Sequence, residues 1–170
     1  MNPDPDLRLK SVMKALAEVI LPALPPEQRM ARDQANLALG HLALLAEQSP
    51  YALRYELESL DECLALAVAL ASQVRDPVVA AALSEAVAQA AGVARDDYAT
   101  VGAALQAVKA LIDQALADGE GETPLQAEML DAVLRYNARR APRERSWHRA
   151  SGLDPDGPRL PRFQDFFDRT

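Results

Sequence analysis

SPYALRYELESLDECLALAVALA, residues 49–71, decides the fold class. Leu53, Leu57, Leu60, Leu64 and Val68 recur at intervals of three and four, the period that lines one side of an α-helix; a half-buried strand would need strict alternation. Ser49-Pro50 supplies an N-cap followed by proline at the first helical position, so a third helix is expected to start there. Its second half, Cys63 to Ala71, is apolar all round. No longer unbroken apolar run occurs, and it is far short of the roughly 20 residues that cross a bilayer.

The same period continues outward in both directions. Towards the N-terminus, Asp6 caps a first helix to about Leu21, with Leu9, Val12, Met13, Leu16 and Ile20 inward, and Pro22 ends it. A second helix of about Glu27 to Gln48 follows, with Met30, Leu37 and Leu44 as its main seam and Leu45 widening it. Towards the C-terminus, Asp76-Pro77 opens a fourth helix to about Ala91, apolar on nearly every side, which places it at the centre of the bundle or between subunits. Gly92 is its C-cap. The fifth helix, about Asp96 to Asp118, carries a heptad seam of Tyr98, Val101, Leu105, Val108, Ile112 and Ala115. After a Gly119–Glu122 turn, Thr123-Pro124-Leu125-Gln126 forms a capping box for a sixth helix to about Arg140, with Leu125, Met129, Val133 and Tyr136 inward and Asp131 paired with Arg135 outside. The expected architecture is all-α: an alanine-rich bundle of about six helices over residues 1–140. An irregular C-terminal arm over 141–170 is interrupted by Pro142, Pro155, Pro158, Pro161, Gly152 and Gly157, with a final turn at Arg162–Asp168.

Composition agrees and excludes much. The 170 residues include 33 alanines but one tryptophan and three phenylalanines, and alanine both favours helix and lets helix axes approach closely. One cysteine makes no internal disulfide, and the acidic, proline-rich start Met1–Asp6 lacks the pattern of a signal peptide, so a cytoplasmic location and no membrane association are expected. Only two histidines occur, in no H-E-x-x-H or E-x-x-H setting, and the seven glycines form no phosphate cradle. No metal, no cofactor and no catalytic set is read from the chain. Cys63, on an apolar stretch without a neighbouring base, reads as a buried structural thiol.

Charge is distributed unevenly. Residues 1–134 carry a net −11, whereas 135–170 carry +4 from arginine alone and hold Trp147, Phe163, Phe166 and Phe167, the only tryptophan and all the phenylalanines. An arm bearing these rings with Arg139 and Arg143 is expected to dock, because each phenylalanine left in water forgoes roughly 1.5–3 kcal/mol of burial. Three receivers are open: its own bundle, a second copy in a homodimer, or another protein. Glu58, Asp61 and Glu62, crowded on one surface of the third helix, are the acidic patch that would receive it. Nucleic acid is disfavoured by the net charge of −7.

One other polar grouping stands out. Arg29, Asp33, Asn36 and Gly40 follow one another at i, i+4, i+7 and i+11 on the second helix, with Arg32 beside them and His41 near the end. Such a strip is ordinarily a solvated face; its functional reading puts Asn36 and His41 in a pocket with Arg32 binding an anion.

The run Glu18-Val19-Ile20-Leu21-Pro22-Ala23-Leu24, followed by Arg32-Asp33-Gln34-Ala35-Asn36-Leu37-Ala38-Leu39, resembles a bacterial helical domain family of unknown function, whose members share an E-x-x-L-P-A-L stretch and an Arg-x-x-x-Asn on the next helix. That family is associated with aminoglycoside-phosphotransferase-like kinases and acyl-CoA dehydrogenases. The resemblance covers about residues 18–48, implies an accessory role near acyl or choline-like metabolism, and brings no catalytic residues. The functional expectation is therefore a non-catalytic interaction or accessory protein that self-associates, as a dimer, or binds a protein partner. The alternative is a bundle holding a small apolar or acyl-type ligand between helices, contacted by Arg32, Asn36 and His41.

Overall fold

The computed structural model describes residues 4–117, 127–151 and 154–167, and among them every regular element is helical. Six helices of 11 to 21 residues account for most of the described chain. None of them is long and apolar enough to cross a membrane. The chain divides into two compact units: residues up to 50 together with those from 143 onward, and residues 51–142. The Gly119–Glu122 turn, the capping box, Leu125, and the expected ends at Asp118 and Asp168 lie outside the described residues.

In the first unit, α1 (Pro5–Ala15) is capped by Asp4 rather than Asp6: the Asp4 carboxylate accepts the Asp6 N–H at 3.2 Å, with Pro5 at the first helical position. The helical path continues through a wider turn at Leu16–Ile20 to Ala23, so Pro22 lies within it and not beyond it. Proline has no N–H, and its ring crowds the carbonyl four residues back; one widened turn ahead of Pro22 accommodates both. That turn inserts one residue into the register. Leu9, Met13 and Leu16 are half-buried, but the next inward residue is Leu21, while Ile20, with Val12, is left about half exposed.

Helix α2 (Arg29–Gln48) turns a different face inward from the expected one. Ala31, Ala35, Leu39, Leu42 and Ala46 are half-buried, whereas Met30, Leu37 and Leu45 are 76%, 54% and 52% exposed and only Leu44 of the expected seam is half-buried. The alanine-rich face lets the first helix approach closely, and Arg32 on that face is committed to it, as described below. A short 3₁₀ turn, Ser49–Tyr51, follows α2; Ser49 closes that helix, so Ser49-Pro50 does not cap the next one.

The second unit holds the core. Helix α3 (Ala52–Ala71) buries Leu60, Cys63, Leu66, Ala67 and Leu70, with Leu53, Leu57 and Leu64 half-buried beside them and Val68 58% exposed. The inward face is thus rotated from the leucine stripe, because a stretch apolar all round lets neighbouring helices select the side that packs closest. Helix α4 (Pro77–Ala91) is capped as expected, Asp76 accepting the Val78 N–H at 2.7 Å, and ends at Gly92. It is not central: Val79, Leu83 and Ala90 are buried while Val78, Ala81 and Ala88 face outward. Alanine counts as apolar in a pattern yet costs little in water, so α4 needs cover on one side only. Helix α5 (Tyr98–Ala117) buries Val101, Leu105, Val108, Ile112 and Ala115, the expected seam apart from Tyr98, which is half exposed and donates to Glu56. Helix α6 (Ala127–Trp147) buries Met129, Ala132 and Tyr136, with Val133 half-buried and Asp131 paired with Arg135 outside.

Helix α6 does not stop near Arg140 but runs through Pro142 to Trp147. An interior proline costs about 3 kcal/mol, and the turn that follows it buries Arg143 and Ser146. Beyond it come 3₁₀ turns at Arg149–Ser151 and Gly157–Arg159 and the four-residue α7 (Gln164–Phe167), all in the first unit.

Candidate functional site

Arg32 is a structural anchor. Its Nη1 donates to the carbonyls of Leu21 and Leu24 at 3.1 and 2.9 Å where the helical path from α1 ends, the Leu21 carbonyl also accepting the Leu24 N–H at 3.4 Å. Residues 21–24 and the start of α2 are thereby tied together. Asn36, one turn along α2 from Arg32, is exposed. His41, also exposed, lies elsewhere, so the three residues expected to share a ligand do not converge.

His41 instead lines an open groove of about 770 Å³ with Leu44, Glu144, Arg145, His148 and Asp154. Both histidines of the chain meet here although 107 positions separate them in sequence. Arg145 fixes the wall: its Nε and Nη2 grip Asp154 at 2.8 and 3.0 Å, and Nη2 also reaches Asp156 at 2.8 Å. These bonds pull the Asp154 carboxyl down to about 2 and raise Arg145 above the usual arginine value. An adjoining hollow of about 680 Å³ is lined by Glu47, Arg149 and Asp154, with the Arg149 Nε donating to the Gly157 carbonyl at 2.9 Å. Gln48 Nε2 donates to the Trp147 carbonyl at 2.8 Å, tying the end of α2 to the end of α6.

The arm's rings are ordered against one another. Trp147 and Phe163 meet edge to face at 5.0 Å, and Phe163 and Phe167 at 6.3 Å. Phe163 and Phe167 are buried and Phe166 half-buried, while Arg139 is exposed and Arg143 buried. The arm's guanidinium groups at positions 145 and 149 are thus occupied within the arm itself. The acidic patch on α3 has partners of its own as well: Glu58 accepts from Arg54 at 3.3 Å, and Asp61 takes a two-pronged pair from Arg95 at 3.0 and 2.7 Å, which raises Arg95 further; Glu62 beside them is half-buried.

Cys63 is fully buried, and desolvation pushes its thiol up to about 11, which leaves it protonated and inert at neutral pH. Among the described residues no three His, Cys, Asp or Glu side chains are grouped to hold a metal ion. Comparison with protein-family models, curated proteins and solved structures finds no match to this chain.

Sequence reasoning recognised the Met30–Leu37–Leu44 spacing but assigned it to the interior. It missed Arg145, Glu144, His148 and Asp154 as groove residues because only the fold brings the arm beside α2. One local signal was available: Gly40, in the middle of a 20-residue helix, costs about 1 kcal/mol relative to alanine and no turn requires it.

Proposed function

We propose that this protein is a non-catalytic interaction or accessory module that self-associates. The observation that carries this reading is that α1 and α2 bury no residue, while Leu7, Val12, Val19, Ile20, Met30, Leu37 and Leu45 stand 46–76% exposed. Scattered exposed leucines need no explanation; a helical pair with no buried residue and seven exposed large apolar ones does. Covering a half-exposed side chain of this kind returns about 1 kcal/mol. Seven together offset the lower end of the ~4–15 kcal/mol association cost, so a weak, concentration-dependent complex is expected. The resemblance in residues 18–48 adds an accessory setting near acyl or choline-like metabolism to this reading.

The test is molecular mass in solution, by sedimentation equilibrium on the full chain from low micromolar to several hundred micromolar. The mass should rise from 18.4 kDa towards a multiple of it. A mass that stays at 18.4 kDa throughout removes self-association. Shortening the chain at Ala141 would cut through α6 and is not an equivalent experiment.

The second reading, binding of a small apolar or acyl-type ligand, is supported by the size of the His41 groove. Of the three contacts expected for such a ligand, His41 alone lines it.

A further inference from the structure

We infer that the outward face of α2 is a self-complementary docking surface, and that a second copy of this chain packs α2 against α2 in antiparallel orientation about a two-fold axis between residues 37 and 38. This rests on the self-association reading and specifies its interface.

The face is defined by helical geometry. Met30, Gln34, Leu37, His41 and Leu44 follow one another at intervals of four and three, with Leu45 at the rim, opposite the alanine face that packs on α1. Its two halves differ. In the N-terminal half Met30 stands out, 76% exposed. The C-terminal half is flanked on one side by the groove of His41, Leu44, Glu144 and Asp154, and on the other by a hollow of about 400 Å³ among Leu9, Val12 and Leu45. A ridge continuous with a channel on one helix is the shape that an isologous pair requires: each copy offers the part the other receives.

The residue types obey the same reversal. Antiparallel packing centred between 37 and 38 sets Met30 against Leu45, Gln34 against His41, and Leu37 against the equivalent turn of its partner. Apolar meets apolar and polar meets polar. Arg29 and Glu47 are 18 residues apart, which is about five full turns, so both lie on one flank of the face. In an antiparallel pair like flanks meet, and Arg29 of each copy arrives beside Glu47 of the other. The described part of the first fifty residues holds six acidic and five basic side chains, so two copies of an acidic protein can approach here without strong repulsion.

Gly40 is an independent sign. A Cβ built on it meets nothing within 4 Å, so nothing in this chain needs the glycine, although it weakens the helix. It lies beside Leu37 close to the proposed axis, where two helix backbones come nearest. No disulfide confuses a cross-linking test, since the single cysteine, Cys63, is fully buried.

The experiment uses the full chain. Leu37→Glu puts a charge on the axis and should weaken dimerisation by ~100-fold or more with helicity unchanged by circular dichroism. Arg29→Glu and Glu47→Arg should each weaken it, and the double variant R29E/E47R should restore it, a rescue that a folding defect cannot mimic. Leu37→Cys should form a symmetric disulfide dimer under mild oxidation, whereas Val78→Cys, 73% exposed on α4, should not. A dimer that survives Leu37→Glu, or charge reversals without rescue, overturns this interface and leaves self-association through another face standing. A wild-type chain that stays monomeric at every concentration removes both.

Discussion

Replacing Arg32 by alanine separates a folding role from a binding role. The guanidinium serves two carbonyls, Leu21 O and Leu24 O, and hydrogen bonds from a charged donor contribute about 1.5–3 kcal/mol each when well shielded. Arg32 is half-buried, so water can take up part of the loss, and the expected cost for the pair together is ~1.5–2.5 kcal/mol. That cost falls on the packing of α1 against α2. Amide hydrogen exchange resolves it: protection of the α1 amides should drop about 10- to 60-fold, at 1.4 kcal/mol per factor of ten, while amides of α5 in the other unit keep their rates. Arg32→Lys, which offers a point donor in place of a fork, should lose roughly half as much. Protection of α1 within about twofold of the wild type in Arg32→Ala would refute the anchoring argument.

Four further outcomes follow from the same structure. Gly40→Ala should stabilise the isolated chain by up to about 1 kcal/mol and yet weaken association, opposite signs readable from thermal melts at low concentration and sedimentation at high concentration. Leu105→Ala, 2% exposed on the α5 seam, should cost ~2–5 kcal/mol in denaturant unfolding, and a loss under 1 kcal/mol would show that the cavity collapses. Because burial lifts the Cys63 thiol from 9.0 to about 11, the fold holds its proton more tightly than the unfolded chain; stability should be complete below pH 9 and fall between 9 and 11, a slope absent in Cys63→Ala. Asp154 shows the reverse sign: its carboxyl sits at about 2, so the Arg145 clasp contributes above the ordinary value of 3.8 and is lost as pH falls towards 2, which emission from Trp147, the sole tryptophan, should report and Asp154→Asn should abolish.

The elements themselves were readable because each is announced locally. Asp76-Pro77 caps α4 as its chemistry requires, Gly92 ends it, and the heptad of α5 is buried residue for residue from Val101 to Ala115. Where the reading missed, a local signal met a competing one. Asp6 yielded the cap to Asp4 because Pro5 sits better at the first helical position. Pro22 was absorbed by a widened turn, which moved the inward residue from Ile20 to Leu21. Pro142 lies inside α6, which runs on past it to Trp147.

Faces were a different matter, and so was the candidate site. Periodicity states that a helix has an apolar stripe but not what covers it. On α2 two stripes compete, a leucine–methionine seam and an alanine row, and the alanine row won the contact with α1 because small side chains and the Arg32 bonds permit close approach. The seam was thereby left outside, which no count of hydrophobic positions could reveal. From its residues alone this chain determined an all-helical fold, the Asp76 cap and Gly92 end of α4 and the buried seam of α5, since those depend on neighbours three and four positions apart. Which stripes point outward, and that His41 and His148 line one groove, was decided only by tertiary packing, because burial is a choice made between surfaces that lie far apart along the chain.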